Sequence, residues 1–410
     1  MERIVVVGAG LAGGRTCQEL RAGGYTGTLT LLGAEDHLPY DRPPLSKAVL
    51  AGRRDDTTLP VDLGDVELLL GRRATGLRPG ALDTDRGPLD FDGLVIATGA
   101  DPVRLPGDGR QRVLRTIDDA RALREVLRPG LRLAVVGAGW IGAEVATAAA
   151  AAGAAVTVVE AADVPLAQAL GDEVGSRMID WYAQAGVTLR LDTEVHAVQP
   201  DGLALVGGEH LLADEIVVGV GVRPATGWLV GCGLALDRGV VVDEHLAADW
   251  STPVVCVGDS AAWWSLRYST RMRVEHWDCA QQSPVVAAAT LLRADATTPL
   301  RADATTPLRA DAGTPPEDVA VYDPVPYFWS DQFDRMIQFA GRRPADAKPV
   351  WRGDPSQPKG WSAGWFDDAG QLAAVVAVGR PADVVRGRRL MVAGATIDPT
   401  RFADASTPLG

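Results

Sequence analysis

The sequence predicts an α/β protein with two related halves and a separate α+β domain at its C-terminal end. Two observations predict the halves: a run of β-branched residues enters a Gly-x-Gly-x-x-Gly turn at residues 8–13, and the same pattern returns at residues 137–142. A third observation predicts the last domain, because from about Val321 the chain changes to short, aromatic-rich stretches separated by turns.

The first turn reads Gly8-Ala9-Gly10-Leu11-Ala12-Gly13 and follows the apolar run at residues 3–7. In such a turn the first glycine permits the tight bend, the second lets the backbone approach a pyrophosphate, and the third lets the helix pack on the strand. The free N–H groups at the start of that helix then face the phosphates. The pattern therefore predicts a dinucleotide site, with a second strand at residues 28–32 and a ribose-binding acid at or near Glu35.

The second turn, Gly137-Ala138-Gly139-Trp140-Ile141-Gly142, repeats the arrangement with every element in place. A strand at residues 131–136 precedes it, and the next strand ends at Glu160, 18 residues after Gly142. A carboxylate there binds both hydroxyls of the adenosine ribose and repels a 2′-phosphate. Because Ala161 and Ala162 supply no arginine for that phosphate, the sequence predicts NADH rather than NADPH as the donor.

Composition excludes several other classes of protein. The formal net charge of −13 argues against a nucleic acid partner, which requires clustered lysine and arginine. No stretch reaches the ~20 apolar residues of a membrane span, so we expect a cytoplasmic protein without a membrane partner. The four cysteines form no Cys-x-x-Cys and have no metal-ligand spacing, so we expect no metal and no sequence-local dithiol.

The proline-rich segment Asp41-Arg42-Pro43-Pro44-Leu45-Ser46-Lys47, read with both glycine turns, resembles the FAD-dependent NADH:ferredoxin reductases. This is the group of putidaredoxin, rubredoxin and dioxygenase reductases, and the resemblance covers nearly the whole chain. It implies two Rossmann-like domains in a glutathione-reductase-like arrangement, with FAD at the first turn and NAD at the second. One departure is that the family usually has Asp where this chain has Ala34, so whether Ala34 or Glu35 meets the FAD ribose stays open.

The resemblance also assigns site residues. For FAD it implies Gly8, Gly10, Leu11, Ala12, Gly13, Glu35, Arg42, Lys47, Thr98, Gly99, Arg115, Asp259, Glu275, His276 and Trp277. For NAD it implies Gly137, Gly139, Trp140, Ile141, Gly142, Glu160, Gly219 and Gly221. The catalytic group would be Lys47 near the flavin N5, Glu144 at the nicotinamide end, Glu275, and Trp329 covering the flavin.

Several of these residues have plainer alternatives. Arg115 could be a solvated arginine at a helix start, Glu144 an acid satisfying a helix dipole, and Trp329 a core tryptophan. A strand-end Asp259 could cap the following helix. His276 has the ordinary pKa for proton transfer near neutral pH, but a structural role is the alternative.

The predicted domains follow from the same patterns. Residues 1–110 and 241–320 would form the FAD domain, residues 111–240 the NAD domain, and residues 321–410 the α+β domain. Within the first of these, Leu-Arg-Ala-Asp-Ala-Thr-Thr-Pro occurs at 292–299 and 300–307 and nearly again at 308–315. Because a proline in each copy would interrupt a helix, we expect a surface insertion there.

The predicted function is electron transfer from NADH through FAD, one electron at a time, to a [2Fe-2S] ferredoxin that serves a cytochrome P450 or a Rieske oxygenase. A glutathione-reductase-type dithiol enzyme is disfavoured because Cys17 lies in the wrong segment. A single-cysteine enzyme of the NADH oxidase or coenzyme A disulfide reductase type is disfavoured because no cysteine occurs near Leu45 or Ser46. The alternatives are an NADH:rubredoxin or quinone reductase and an apoptosis-inducing-factor-like redox signalling protein. We expect a monomer or a homodimer.

Overall fold

The computed structural model describes residues 1–294 and 320–409, which form two compact units. The first unit contains Met1–Asp41, Thr57–Asp101 and Arg223–Pro324, and the second contains Arg42–Asp56, Pro102–Val222 and Val325–Gly410. The expected insertion at 292–315 lies outside the described residues from position 295 onward. The division into three domains stays a prediction.

The strands, in chain order, are β1 Arg3–Val7, β2 Thr28–Leu32, β3 Glu67–Leu69, β4 Ala74–Arg78, β5 Ala81–Thr84, β6 Leu89–Asp90, β7 Gly93–Ile96, β8 Ala100–Pro102, β9 Arg132–Val136, β10 Ala155–Val159, β11 Thr188–Arg190, β12 Val195–Gln199 and β13 Gly202–Leu205. They continue with β14 His210–Leu212, β15 Glu215–Val218, β16 Val222–Pro224, β17 Val240–Val242, β18 Val254–Cys256, β19 Ala261–Ser265, β20 Thr270–Met272, β21 Tyr327–Gln332, β22 Arg335–Gly341, β23 Val350–Arg352, β24 Trp361–Phe366 and β25 Leu372–Val378.

The helices are α1 Leu11–Ala22, α2 Ile117–Val126, α3 Trp140–Ala151, α4 Ala167–Leu170, α5 Asp172–Gly175, α6 Ile179–Gln184, α7 Trp277–Arg293, α8 Pro381–Ala393 and α9 Pro399–Ala403. A π-helical turn spans Leu45–Val49, and a short 3₁₀ turn spans Gly258–Ser260. Within the described ranges, no helix combines the length and the apolar character needed to cross a bilayer.

The first unit is organised around a parallel five-stranded sheet with the order β18-β7-β1-β2-β3. Its central strand β1 pairs with β2 on one side and β7 on the other, and the residues of β1 from Ile4 to Val7 are buried. An unbroken β-branched run suits this position because both faces of a parallel sheet are covered. Helix α1 packs against α7 and the sheet, so the first glycine turn lies at the carboxyl end of a central strand.

The second unit contains a parallel sheet with the order β11-β10-β9-β15 and an antiparallel sheet with the order β21-β22-β25-β24-β23. In the parallel sheet β9 lies between β10 and β15 and leads into α3 through the second glycine turn. In the antiparallel sheet β21 and β22 form a hairpin whose two turn residues, Phe333 and Asp334, have φ values of 49° and 61°. Helix α8 covers β25 and β22 of the same sheet.

A half-buried aspartate follows β17 in the first unit and makes folding stability depend on pH. Burial raises the pKa of Asp243 to about 6; Glu244 adds to the rise, while His245 and the N–H groups of His245 and Ala247 oppose it. A folded-state pKa above the unfolded value means that the folded chain holds the proton more tightly, so stability falls as pH rises from about 4 through 6. We expect Asp243→Asn to remove this loss, because an amide oxygen can still accept both backbone N–H groups.

Urea unfolding at pH 4.5 and pH 7 measures this effect. Relative to the Asn variant, the parent protein should lose about 2 kcal/mol of unfolding free energy between the two pH values. Asp249→Asn, at an exposed position of the same segment, is the matched control and should leave the pH dependence unchanged. Equal pH dependence in the parent and the Asp243→Asn variant would contradict the assignment.

Candidate functional site

The first glycine turn has the shape that a pyrophosphate requires. Gly8 has a φ of +114°, and a Cβ there would lie 2.2 Å from the carbonyl oxygen of Ala97. By contrast, among the described residues no atom lies within 4 Å of the Cβ position of Gly10. Helix α1 starts after Gly10 with no capping hydrogen bond from a described side chain and no acidic residue in its first turn. The turn therefore leaves space and free N–H groups for an anion.

The second turn repeats this geometry in the second unit. Gly137 has a φ of +99°, and a Cβ there would lie 2.6 Å from the carbonyl oxygen of Gly219. At Gly139 the nearest described atom to a Cβ would be 3.9 Å away, so the middle glycine is again the open position. The first turn of α3 likewise has neither a side-chain cap among the described residues nor an acid. Both turns therefore fit the phosphates of a dinucleotide.

Glu160 lies directly after β10, beside the second turn. Its Oε2 accepts a hydrogen bond of 2.6 Å from the N–H of Ala138, and its Oε1 accepts one of 3.0 Å from the N–H of Ala162. These bonds hold the carboxylate at the end of the strand, where the adenosine ribose of NAD lies in this type of fold. The ribose contact itself stays a prediction.

The acid of the first turn is anchored differently. Tyr40, which is buried, donates its hydroxyl to Oε2 of Glu35 over 2.5 Å. Ala34 is exposed and has no polar group to offer a ribose. Glu35 is therefore the better placed of the two candidates, and its contact with FAD stays a prediction.

The first unit also brings together several residues expected near FAD. Ala12, in the first turn of α1, packs against Gly258, so Asp259 lies close to the first glycine turn. The indole N–H of Trp277, at the start of α7, donates to Oδ1 of Asp41 over 2.7 Å. Glu275 forms an ion pair with Arg273.

His276 precedes α7 and is half-buried. Desolvation lowers its pKa to about 4, and the nearby Asp259 carboxylate offsets only part of that shift. The imidazole is therefore neutral at physiological pH. The contact of His276 with FAD, its role in proton transfer and the structural alternative all stay predictions.

Thr98 and Gly99 follow β7 in the same unit. The Thr98 hydroxyl donates to the carbonyl oxygen of Ala225 over 2.9 Å, and Gly99 adopts a φ of +70°. The small-residue turn thus follows a buried central strand, as expected for a backbone that passes close to a cofactor.

A buried polar cluster in the second unit joins two of the expected catalytic residues. Glu144, on α3, is 3% exposed, and its Oε1 lies 2.8 Å from the Lys47 ammonium. Ser330 donates its hydroxyl to the same Oε1 over 2.5 Å, and the N–H of Asp331 lies 3.2 Å from it. The hydroxyl of Ser46 donates to Oε2. We call Ser46, Lys47, Glu144 and Ser330 the Glu144 cluster.

Strand β21 lies along α3 and makes contacts beyond the Glu144 cluster. The Trp140 and Phe328 rings meet edge to face with centroids 4.4 Å apart, and the Phe333 N–H donates to Thr147 over 3.0 Å. Between these contacts Trp329 stacks beside Tyr327 at 6.2 Å. Trp329 therefore lies on a strand that packs against α3, the helix that follows the second glycine turn.

The remaining expected residues occupy the ends of elements in the second unit. The Arg42 carbonyl accepts from the N–H of Leu45 at the π-helical turn, and Arg115 precedes α2. Ile141 is 41% exposed at the start of α3. The N–H of Gly219 bonds to Val136, and Gly221 adopts a φ of +108°.

The cysteines are free thiols, and all four lie in the described part of the chain. Burial raises the pKa values of Cys17, Cys256 and Cys279 to about 12, so they are poor nucleophiles at neutral pH. Across residues 1–294 and 320–409, no group of three or more His, Cys, Asp or Glu side chains could hold a metal ion.

Two members of the Glu144 cluster were not expected from the sequence. Ser46 directly precedes Lys47, and Ser330 directly follows Trp329, so each is next to an expected residue. No spacing pattern links the two serines to Glu144, because the three residues come from segments far apart in the chain.

Two dinucleotide-binding turns of this geometry, each followed by an acid, define the class of two-nucleotide oxidoreductases. The family model described as pyridine nucleotide-disulphide oxidoreductase matches residues 2–283, and the model described as reductase C-terminal matches residues 327–410. The chain belongs to the pyridine nucleotide-disulphide oxidoreductase family, in its ferredoxin reductase group with this C-terminal domain. It is thus an oxidoreductase of FAD and NAD(H).

Similar proteins cover nearly the full chain. The ferredoxin reductase component of chlorobenzene dioxygenase from Cupriavidus sp. (strain PS12) is 34% identical over 99% of this chain and 96% of its own. Putidaredoxin reductase from Pseudomonas putida is 30% identical over 100% and 96%. The crystal structure of Fdr9 has a TM-score of 0.90 at 46% identity, covering 100% of both chains. The covalent putidaredoxin reductase–putidaredoxin complex gives 0.87 at 28% identity, covering 100% and 97%.

Proposed function

We propose that this protein passes electrons from NADH through FAD, one at a time, to a [2Fe-2S] ferredoxin that serves a cytochrome P450 or a Rieske oxygenase. The observation that carries this proposal is the ion pair between Lys47 and the buried Glu144, which lies on the helix that begins at the second glycine turn. The named relatives support the acceptor, because they are ferredoxin reductase components of dioxygenase systems and a putidaredoxin reductase.

Separate sets of residues in the two units would hold the two cofactors. In the first unit, the turn at Gly8–Gly13 and α1 would hold the FAD pyrophosphate, with Glu35 at its ribose and Asp259 near the same turn. In the second unit, the turn at Gly137–Gly142 and Glu160 would hold NADH. FAD, when bound, accepts electrons in a pair and releases them singly.

The Glu144 cluster supplies a preorganised charge to this chemistry. A Lys47 ammonium near the flavin N5 would favour the anionic reduced form, and the buried Glu144 carboxylate already orients this ammonium. Trp329 lies on strand β21, which packs along α3, and would cover the flavin. The roles of Lys47, Glu144, Glu275 and Trp329 are part of this proposal.

The state of the thiols supports an external one-electron acceptor over an internal disulfide. A disulfide reductase of this family needs a reactive dithiol beside the flavin. Three of the four cysteines here are buried with pKa values near 12, and all four are far apart in sequence. These thiols would therefore not serve as the acceptor, which favours an external partner.

Cytochrome c reduction tests the proposed acceptor. With FAD-loaded protein and NADH, we expect rapid cytochrome c reduction only when a [2Fe-2S] ferredoxin is added, because in the proposed route the ferredoxin carries single electrons from the flavin to cytochrome c. Rubredoxin and a quinone, added separately at equal concentration, are the controls for the alternative acceptors. Faster turnover with either would contradict the assignment, and NADH-reduced flavin that passes electrons to none of them would favour a redox signalling role.

The other expectations complete the proposal. We infer a cytoplasmic protein that is a monomer or a homodimer, with FAD, NAD and C-terminal domains divided as expected from the sequence. The match of a separate family model to residues 327–410 supports the last of these boundaries.

A further inference from the structure

Two hydroxyl groups, those of Ser46 and Ser330, donate hydrogen bonds to the Glu144 carboxylate. We propose that Ser46 and Ser330 are positioning residues, which hold the Glu144 carboxylate in one orientation and, through it, the Lys47 ammonium. The inference rests on the proposed function for the importance of Lys47, but its geometry stands on the four side chains alone.

Both oxygens of the Glu144 carboxylate accept hydrogen bonds. An ionised carboxylate has about four lone-pair sites. Oε1 accepts from Ser330 at 2.5 Å, from Lys47 at 2.8 Å and from the Asp331 N–H at 3.2 Å, while Oε2 accepts from Ser46. Rotation of the carboxylate would break bonds at both oxygens, so its orientation is determined by donors on two separate segments.

Lys47 depends on this carboxylate for its position. Its ammonium ends a flexible four-carbon stem, which by itself allows many rotamers. Besides Glu144, the ammonium has a contact of 3.4 Å with the carbonyl oxygen of Pro43, which is too long to orient it strongly. A carboxylate with fixed direction therefore decides where the positive charge lies.

The π-helical turn brings Ser46 and Lys47 to the same carboxylate. Successive residues of a regular helix point in different directions and do not share a partner. Here both reach Glu144 from the turn at Leu45–Val49, a wider turn of the kind found at functional sites. Ser46 is 3% exposed, so its hydroxyl has no access to bulk water as an alternative partner.

Gln332 sets the direction of the Ser330 hydroxyl. Its side-chain N–H donates to the Ser330 Oγ over 3.1 Å, and both residues are 1% exposed. With its oxygen accepting from Gln332, Ser330 directs its own proton to Glu144. Ser330, on the same strand as Trp329, is therefore an oriented hydrogen-bond donor to the Glu144 carboxylate, which pairs with Lys47.

Chemical modification of lysine tests the proposal without relying on activity. The chain contains three lysines, Lys47, Lys348 and Lys359, and the last two are exposed. Native FAD-loaded protein is treated with formaldehyde and cyanoborohydride, and mass spectrometry follows dimethylation at each lysine. In Ser46→Ala and Ser330→Ala we expect Lys47 to react about tenfold faster, the equivalent of one lost hydrogen bond to a charged group. Lys348 and Lys359 should react as before.

Two variants separate positioning from general loosening. Ser330→Thr keeps the hydroxyl on a strand and should restore the protection of Lys47. Thr147→Val removes the contact to Phe333 three residues along α3, without touching the carboxylate, and should leave Lys47 protected. In stopped-flow reduction by NADH, the serine-to-alanine variants should lower the limiting rate of flavin reduction and leave the half-saturating NADH concentration unchanged.

Unchanged reactivity of Lys47 in both serine-to-alanine variants would overturn the proposal. Equal exposure of Lys47 in Thr147→Val would also overturn it, because the effect would then be structural. The result is distinguishable from failure of the proposed function. A protein that reduces no ferredoxin but shows the expected lysine pattern would keep the positioning role and lose only the assigned acceptor.

Discussion

Replacing Glu144 with leucine will lower the free energy of unfolding by about 3 kcal/mol, because it leaves the Lys47 ammonium without the carboxylate that balances its charge in a mostly buried site. The Ser330 hydroxyl and the Asp331 N–H lose an acceptor at the same time. We also expect the rate of flavin reduction by NADH to fall at least about tenfold, the consequence of losing ~1.4 kcal/mol of transition-state stabilisation. Urea unfolding and stopped-flow absorbance measure the two effects.

The double variant Lys47→Met with Glu144→Leu separates charge from packing. Removing both charges takes away the uncompensated ammonium, so the double variant should regain most of the lost stability. It should not regain the rate, since the positive charge proposed to act near the flavin is gone. If the double variant is no more stable than the single one, the cost comes from packing at Glu144 and not from the unpaired charge.

Replacing Glu160 with glutamine will reduce the preference for NADH. The parent protein should use NADH with a much higher kcat/KM than NADPH, because the carboxylate after β10 repels a 2′-phosphate. The amide keeps an oxygen to accept from the Ala138 N–H but has no charge. We expect the ratio of the two kcat/KM values to fall at least tenfold, a change of about 1.4 kcal/mol.

Asp163→Asn is the matched control for this change. It removes the same charge from an exposed position three residues further along the chain, where no ribose is expected. The control should keep the parent ratio, and steady-state kinetics with both donors at one ionic strength gives the comparison. A parent protein that uses NADPH equally well, or a control that shifts as far as Glu160→Gln, would contradict the role of Glu160.

The regular elements could be predicted closely. The expected strand at residues 28–32 is observed as β2 with the same bounds, and the strand expected at residues 131–136 is observed as β9 Arg132–Val136. Both are unbroken apolar runs of the kind found in the centre of parallel sheets. The short strand β23 Val350–Arg352 was missed, because three residues show no clear alternation.

The candidate site was predictable where its chemistry is local. The geometry of each glycine turn can be predicted from its own residues, because the tight bend, the open middle position and the helix start lie within six residues. The Glu144 cluster is different. Its members come from three segments, and sequence spacing has no information about which hydroxyl will face which carboxylate.

The pKa of His276 could not be predicted from the sequence either. Its residue type predicts a pKa near 6.5, but burial lowers that pKa to about 4. Desolvation depends on every atom packed around the ring, and the residue type does not determine that packing.

The sequence by itself determined the two nucleotide turns, the acid directly after the second strand of the second half, and the family, because these depend on the order and conformational freedom of neighbouring residues. Only the tertiary structure decided that Lys47 is paired with Glu144, that two serines hold that carboxylate, and that His276 is neutral. Hydrogen bonds and desolvation act over a few ångströms in space, and folding alone determines which distant residues come within that range.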